Sequence, residues 1–248
     1  LPLFQTIGYS FTDYNGINPK KEFTGLTNYF DVFQDKWFYN SMAFTGKSVL
    51  LMILLANVLG FLLALALNTK IRSRNILRAI VFCPFVFNNV TVGFIWQFLL
   101  GRFMTDLYPL TGWKVFNIGW LSDNSLVLYS VVFVKLWQSI GYFMVIYLAG
   151  LQLLPQDPLE AAVIDGCTGI KMIRYITIPL MKPTAFVCIF LAITESLNMF
   201  PLIMSLTNGG PGHASENISL YIYNEAFKSH RMGYASALAV ILTIIMTI

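Results

Sequence analysis

Four long apolar runs dominate the sequence and constrain the fold more than any other feature. In chain order they are Ser48 to Leu67, Ala79 to Leu100, Leu126 to Leu151 and Thr184 to Leu206. The first two contain no charged residue, the third contains only Lys135 and the fourth only Glu195. Because roughly 20 apolar residues in a helix cross a bilayer core about 30 Å thick, each run predicts one membrane crossing. Pro84 predicts a kink in the second crossing.

Shorter apolar stretches stand at both ends of the sequence. Leu1 to Ile7 and Tyr234 to Ile248 are interpreted as clipped crossings, which predicts about six transmembrane helices with the first and last incomplete. Hydrophobic residues make up 56% of the chain and charged residues 11%, with a mean hydropathy of +0.66. A soluble domain carries about 25% charged residues, so lipid is the expected solvent. The sequence predicts an all-α polytopic membrane protein, with one transmembrane domain over residues 1–248.

Charge, cysteine and histidine content argue against several other classes of protein. The net charge is only +4 and the basic residues are dispersed, which does not favour nucleic-acid binding. Cys83, Cys167 and Cys188 are scattered, and neither His213 nor His230 lies near a cysteine in the sequence. We therefore expect neither a disulfide framework nor a zinc or other metal site.

Basic residues in the short loops predict the orientation. The loop after the first run contains four basic residues and no acid: Lys70, Arg72, Arg74 and Arg78. Because Lys and Arg are retained on the cytoplasmic side, this loop should be cytoplasmic. Residues 155–183, two crossings later, should face the same side, as should both chain ends. Residues 8–45, 101–125 and 207–233 should face outward.

The polar segment between the third and fourth runs predicts a helix, a turn and a second helix. Asp157 is typical of an N-cap, and Glu160, three residues later, completes the pattern of a capping box. Gly166 is the residue type that ends a helix in a left-handed turn. Thr168 should cap the second helix, which Pro179 should end. An ordinary, well-capped cytoplasmic loop would account for these features equally well.

The same segment resembles the signature loop of binding-protein-dependent ABC importer permeases. That signature is EAA, three residues, G, nine residues, I, any residue, L and P, and only the Leu differs here, replaced by Ile178. In that family the loop forms a coupling helix that seats in a groove of the ATP-binding subunit. The resemblance implies that the ATPase-coupling residues are Glu160, Ala161, Ala162, Asp165, Gly166, Ile176 and Pro179.

Other segments are similar to the maltose-type, carbohydrate-uptake branch of these permeases. The carboxy-terminal part carries T-x-G-G-P, Y-I-Y, A-F and G-Y-A-S-A in the family's order, beginning at Thr207. One departure is Pro201 after Phe200, where the family often has an acidic residue. The resemblance implies a type I ABC importer permease fold and a non-enzymatic transport subunit for a sugar or oligosaccharide. It places the chain in a bacterial or archaeal plasma membrane.

The family also implies a set of partners and cofactors. These partners are a second, homologous permease subunit, two ATP-binding subunits and an extracytoplasmic solute-binding protein. ATP and Mg are expected to be used by the ATP-binding subunits, with no cofactor bound by this chain. The membrane lipid is a further partner, and nucleic acid is not one.

Polar residues inside the crossings are the candidates for the substrate path, because such groups usually face a bundle interior or a water-filled route. The hypothesis covers Gln138, Tyr142, Glu195, Asn198, Asn88 and Asn89, since amides, carboxylates and aromatic faces bind sugars. Hydrogen bonds between helices would satisfy the same groups. Lys135 is expected either to reach the membrane surface or to pair with an acid in the bundle.

Three other functions stay open at this point. A type I permease for a polyol, glycerol phosphate or polyamine would share the same motifs, although the chain shows no basic cluster for phosphate. An ion-coupled secondary transporter would work without an ATPase. A membrane-embedded enzyme would need paired titratable groups, for which only Glu195 and Lys135 are candidates.

Overall fold

The computed structural model describes residues 2–18, 20–69 and 72–247 as a series of helices. Leu1, Lys70 and Ile248, which belong to segments discussed above, lie outside the described residues. The α-helices are α1 (Pro2–Ser10), α2 (Thr27–Gln34), α3 (Lys36–Leu67), α4 (Arg74–Phe82), α5 (Asn89–Phe98), α6 (Met104–Thr111), α7 (Val127–Gln152), α8 (Gln156–Ile164), α9 (Ile170–Met172), α10 (Ile178–Leu180), α11 (Lys182–Leu197), α12 (Phe200–Leu206), α13 (Ile218–Tyr223) and α14 (Met232–Thr247). Short 3-10 helices cover Cys83–Val86 and Lys114–Asn117, and π-helical turns cover Leu99–Phe103, Ile173–Thr177 and Asn224–Lys228.

Within the part of the chain that the structure describes, two helices are each long and apolar enough to cross a membrane, namely α3 and α7. Two bent pairs raise this number to four if each pair is one crossing: Arg74–Val86 with Asn89–Thr111, and Ile170–Leu180 with Lys182–Leu197. In chain order, the first three correspond to the first three apolar runs, whereas the last pair begins within residues 155–183 and ends inside the fourth run. The terminal helices α1 and α14 are shorter, so the count of six crossings stays a prediction for the two chain ends.

The predicted kink at Pro84 is confirmed, and the bend is a sharp one. The helical axis turns by 96° between Arg74–Val86 and Asn89–Thr111. Pro84 lies in the 3-10 segment that ends α4, and the following Phe87 is extended, with φ −74° and ψ 142°. A proline ring removes one backbone donor and displaces the preceding turn, which explains why the helix breaks here.

The fourth apolar run was predicted as one continuous crossing, and this prediction is wrong. The structure ends α11 at Leu197 and begins α12 at Phe200. Pro201 stands in the first turn of α12, where its missing N–H needs no partner. The same proline could not continue α11 without the loss of a hydrogen bond, so the run divides.

One compact unit of the chain comprises residues 1–46, 97–128 and 203–248. Its core consists of Val32, Phe38, Ile218, Tyr221, Tyr234, Ala237 and Leu238. Asp35 lies between α2 and α3 and accepts hydrogen bonds from the phenols of Tyr221 and Tyr234, the latter at 2.5 Å. Partial burial raises the pKa of Asp35, but these bonds and those from backbone N–H groups outweigh it and bring the pKa below 3.8.

The second compact unit comprises residues 47–96 and 129–202, and glycines set the spacing of its helices. A Cβ on Gly141 of α7 would overlap the backbone of Val81 in α4. A Cβ on Gly60 of α3 would lie 2.9 Å from the Cβ of Phe143. Asn57 of α3 accepts a hydrogen bond of 2.6 Å from the Tyr147 hydroxyl of α7. Small residues and a polar pair thus hold these apolar helices together, as is usual inside membranes.

Candidate functional site

The break between α4 and α5 opens a cavity of about 470 Å³ within the second unit. Its walls come from the break itself, from α7 and from the end of the fourth apolar run. Four of the predicted substrate-path residues line it together: Asn88, Asn89, Gln138 and Glu195. The cavity therefore collects polar groups that the sequence scatters over three different apolar runs.

Gln138 supports the broken backbone at one wall of this cavity. Its amide nitrogen donates a hydrogen bond of 2.9 Å to the carbonyl of Phe87, at the point where the helix is interrupted. A broken helix within a membrane leaves backbone groups that another helix must satisfy. The side-chain oxygen of Gln138 is buried and has no hydrogen-bond partner among the described residues. It is consequently a buried acceptor next to the cavity, covered by the surrounding side chains.

The two asparagines at the break have different environments. The Asn88 side chain accepts a hydrogen bond of 2.9 Å from the backbone N–H of Val90, in the manner of an N-cap for α5. The oxygen of Asn89 lies 3.5 Å from the ammonium of Lys135. Asn88 is exposed, so its amide nitrogen stays accessible at the cavity wall.

Lys135 and Glu195 form an ion pair at the cavity wall, with 2.6 Å between Nζ and Oε2. The Lys135 side chain is only 3% exposed, whereas that of Glu195 is 27% exposed. Of the two alternatives left open for Lys135, the structure shows the pairing with an acid of the bundle. A lysine inside a membrane bundle is tolerated when a carboxylate neutralises it at this distance.

Two members of the predicted substrate path lie apart from the cavity lining. Tyr142 stacks on Phe85, with ring centroids 4.6 Å apart and planes at 2°, and Phe85 itself lines the cavity. Asn198 caps the carboxy-terminal end of α11 and is exposed. Their contribution to a substrate path stays a prediction. Tyr142 would contribute indirectly, by supporting Phe85 at the cavity wall.

Sequence reasoning missed two features of this cavity. The carbonyl of Phe87 becomes a polar wall group because of the helix break, which an apolar run does not reveal. Pro201, noted only as a departure from the family pattern, also lines the cavity. The signal for both was proline, since each proline marks a point at which backbone groups leave the helical ladder.

The loop at residues 155–183 forms the predicted helix, turn and helix, with corrections at its caps. The first helix ends in a Schellman turn: the N–H groups of Gly166 and Cys167 bond to the carbonyls of Val163 and Ala162, and Gly166 has φ +74°. The predicted N-cap is wrong, because α8 begins at Gln156 after an extended Pro155. Asp157 lies inside the first turn instead, where a carboxylate still favours the helix dipole.

The second helix of this loop differs from prediction at both ends. Gly169, with φ +59°, precedes α9, and Thr168 makes no capping hydrogen bond. Pro179 does not end the helix but lies in the short α10, which continues to Leu180. The π-helical turn Ile173–Thr177 already interrupts the regular ladder just before this proline, so its missing N–H costs little.

The surface of α8 is polar on one part and apolar on another. Glu160 and Ala161 are exposed, whereas Ala162 is buried at 6% exposure. Val163 and Ile164 are exposed although both are large and apolar. Of the alanine pair, only Ala161 is therefore accessible to a partner.

A second cavity, of about 350 Å³, lies within the first unit after α12, and sequence reasoning missed it. Glu216 is 1% exposed and accepts hydrogen bonds from Asn224 and, at 2.5 Å, from Nδ1 of His213. His213 in turn stacks on Trp37 of α3, with centroids 4.5 Å apart. These contacts order the segment that follows the T-x-G-G-P turn.

Comparison with known proteins places the chain in a family. The family model described as "binding-protein-dependent transport system inner membrane component" matches residues 56–248. The chain is 36% identical to the probable starch degradation products transport system permease protein AmyD of Thermoanaerobacterium thermosulfurigenes, over 100% of this chain and 84% of AmyD. It is 33% identical to the multiple sugar-binding transport system permease protein MsmF of Streptococcus mutans, over 100% of this chain and 85% of MsmF.

Relatives named for another solute are also found. The sn-glycerol-3-phosphate transport system permease protein UgpA of Brucella abortus is 32% identical over 97% of this chain and 83% of its own length. Its identity is close to that of the sugar permeases. The overall likeness therefore does not by itself separate the two substrate classes.

Two solved structures share the fold. A bacterial ABC transporter involved in the import of the acidic polysaccharide alginate superposes with a TM-score of 0.81 at 22% identity, over 98% of this chain and 84% of that chain. A bacterial alginate ABC transporter in complex with alginate pentasaccharide-bound periplasmic protein gives a TM-score of 0.76 at 24% identity, over 89% and 78%. The helical architecture and the helix-turn-helix loop are consistent with the family model that the chain matches. The chain belongs to the family of binding-protein-dependent transport system inner membrane components, the permease subunits of ABC importers.

Proposed function

We propose that this chain is the membrane-spanning permease subunit of an ATP-driven importer for a sugar or oligosaccharide. The observation that carries the proposal is the polar cavity of the second unit, where amide groups and an ion pair lie within otherwise apolar helices. Sugars are bound by hydrogen bonds from amides and carboxylates, and both groups are present here. AmyD and MsmF, which cover the whole chain, are named for such substrates.

The helix break gives the cavity its role in transport. Asn88 offers an exposed amide and Glu195 a carboxylate that is 27% exposed, so the wall presents both a donor and an acceptor to hydroxyl groups. A hydroxyl group both donates and accepts, which matches this pair of side chains. We infer that the solute passes along this wall.

The exposed face of α8 is proposed to dock on a separate ATP-binding subunit. Glu160 and Ala161 are exposed there next to the apolar Val163 and Ile164, which is typical of a surface that a partner covers. ATP and Mg would be used by two such subunits. Closure of the ATPase pair would draw the loops together and switch the crossings, because the two states differ in contacts at both ends.

The remaining proposed partners bind on other faces. A second, homologous permease completes the pathway, and the solute-binding protein contacts residues 8–45, 101–125 and 207–233. This assignment places residues 68–79 and 155–183 and both chain ends in the cytoplasm of a bacterium or archaeon, since the basic residues concentrate there. The binding-protein complex of the alginate transporter is the structural parallel.

Proteoliposomes that contain this chain, its partner permease and the ATPase subunits test the proposal. Neutral oligosaccharides, polyols and glycerol phosphate are each added with the binding protein, and ATPase activity and uptake are measured. Stimulation by a sugar supports the main proposal, and stimulation by glycerol phosphate alone supports the alternative solute. ATP-independent uptake driven by an ion gradient would indicate a secondary transporter instead.

A further inference from the structure

The charges at the cavity wall compensate each other. Among the nine described residues that line the cavity, Lys135 and Glu195 are the only charged ones. They lie 2.6 Å apart, and the lysine side chain is 3% exposed. The Asn89 oxygen approaches the same ammonium at 3.5 Å. The wall therefore presents no uncompensated positive charge to a solute.

We propose that Glu195 acts as a charge filter, which makes the path selective for uncharged, polyhydroxylated solutes over anionic ones such as uronates and sugar phosphates. This inference rests on the proposed substrate path and deepens it by naming the charge class. An anion in the cavity would have to compete with Glu195 for Lys135. It would also lie beside a carboxylate that repels it.

Burial makes this competition unfavourable for the anion. An ion pair with one almost fully buried partner is expensive to break, because separation leaves a charge without compensation in a poorly solvated site. Neutral hydroxyl groups avoid this cost, since they bind the exposed Asn88 amide and donate to Glu195 without displacing it from Lys135. Glu195 thus occupies the ammonium of Lys135, and loss of Glu195 should leave that ammonium available to bind an anion.

The relatives and structural neighbours are named for solutes of different charge. UgpA is named for sn-glycerol-3-phosphate, and the structural neighbours are named for acidic alginate. Each of those solutes is an anion, whereas starch degradation products are neutral. The ion pair favours the neutral class for this chain.

The test uses the purified complex of this chain with its partner subunits, in mildly acidic buffer. Saturation-transfer NMR titrations measure the binding of two probes, methyl glucuronide and methyl glucoside, which differ in charge and share most hydroxyl groups. Glu195→Gln should bind the glucuronide about tenfold more tightly than the wild type, because a charge-assisted contact replaces a blocked one. Binding of the glucoside should change much less.

Three control variants separate the filter from a structural role. The exchange K135E/E195K keeps the pair and should show no gain for the anion, and K135M/E195Q removes the cation and should abolish the gain. Gln97→Leu changes an exposed polar residue of α5 outside the cavity lining and should behave as the wild type. If Glu195→Gln misfolds, the test uses the relative affinities for the two probes instead. The wild type should prefer the neutral probe, and K135E/E195K should keep that preference.

Two results would overturn the proposal: equal affinity of the wild type for both probes, or a folded Glu195→Gln complex without any gain for the glucuronide. Either result leaves the proposed function intact, provided that the wild-type complex still imports a neutral oligosaccharide. Failure of import with every sugar would instead remove the proposed function, whatever the probes show.

Discussion

The side chain of Gln138 in α7 donates a hydrogen bond of 2.9 Å to the carbonyl of Phe87, a backbone group at the break between α4 and α5. Gln138→Leu should therefore destabilise the second unit by about 1–3 kcal/mol, since the carbonyl loses its partner inside the membrane. Thermal unfolding of the purified protein in detergent measures the effect. Gln97→Leu, at an exposed position of α5, is the matched control and should change stability by less than about 0.5 kcal/mol. Equal unfolding temperatures for the two variants would contradict this role.

Gly141 allows α4 to lie directly against α7. A methyl group at this position would overlap the Val81 backbone, so Gly141→Ala should cost about 1–3 kcal/mol or prevent assembly. Gly46→Ala is the matched control, because that helical glycine has nothing within 4 Å of its would-be Cβ. The control should be neutral or slightly stabilising, since alanine favours a helix. Expression and unfolding temperature compare the two variants, and equal losses would refute the close approach.

Asp35 should make the first unit sensitive to acid. Its pKa is lowered in the folded protein, so its contribution to stability is present above the ordinary carboxyl pKa of 3.8. That contribution is lost as the pH falls through the lower folded value. The unfolding temperature of the wild type should therefore drop below pH 3.8 more steeply than that of Asp35→Asn. Asp31→Asn, at an exposed position in α2, should keep the wild-type slope.

The exposed face of α8 should couple ATP hydrolysis to transport. Glu160→Lys reverses the charge on that face, so it should release the ATPase subunits or leave their hydrolysis insensitive to the loaded binding protein. Co-purification and ATPase assays in proteoliposomes distinguish these two outcomes. Asp106→Lys makes the same charge reversal at an exposed acid outside α8, so it is the control for co-purification and should leave the ATPase subunits bound. Normal stimulation of the Glu160→Lys complex would exclude α8 from the coupling surface.

Substitutions of Gly166 test whether a partner covers the turn that ends α8. Its φ of +74° disfavours any side chain, yet a Cβ there would meet nothing within 4 Å. Gly166→Ala should therefore cost only about 1 kcal/mol through backbone strain, whereas Gly166→Trp should also block docking. Full ATPase coupling in the tryptophan variant would show that no partner covers the turn.

Much of the helical pattern follows from hydropathy, because uncharged runs of membrane length have few alternatives to a helix. The long α7 and the kink at Pro84 are accordingly predicted well. The division of the fourth run at Pro201 was not predicted, since apolar content hides a backbone break. Cap positions at Asp157 and Thr168 failed for a related reason: the helices begin after an extended Pro155 and after Gly169 with its positive φ, so backbone conformation and not a polar side chain sets each start.

The polar cavity could be predicted in its members but not in its geometry. Gln138, Glu195, Asn88 and Asn89 stand out as polar groups in apolar runs. Their assembly depends on the 96° bend, which sequence periodicity does not provide. The partner of Lys135 was likewise undecided until the distance to Glu195 was known, because a lysine in a crossing has two acceptable solutions.

ATP-driven uptake of neutral oligosaccharides in proteoliposomes tests the central claim most directly. The complex of this chain with its partner permease, its ATPase subunits and the binding protein should accumulate at least one radiolabelled neutral oligosaccharide when ATP is enclosed on the ATPase side. Glu160→Lys should abolish this accumulation while the complex stays in the membrane. Uptake that proceeds without ATP, or the absence of uptake for every neutral sugar while an anionic solute is carried, would contradict the account.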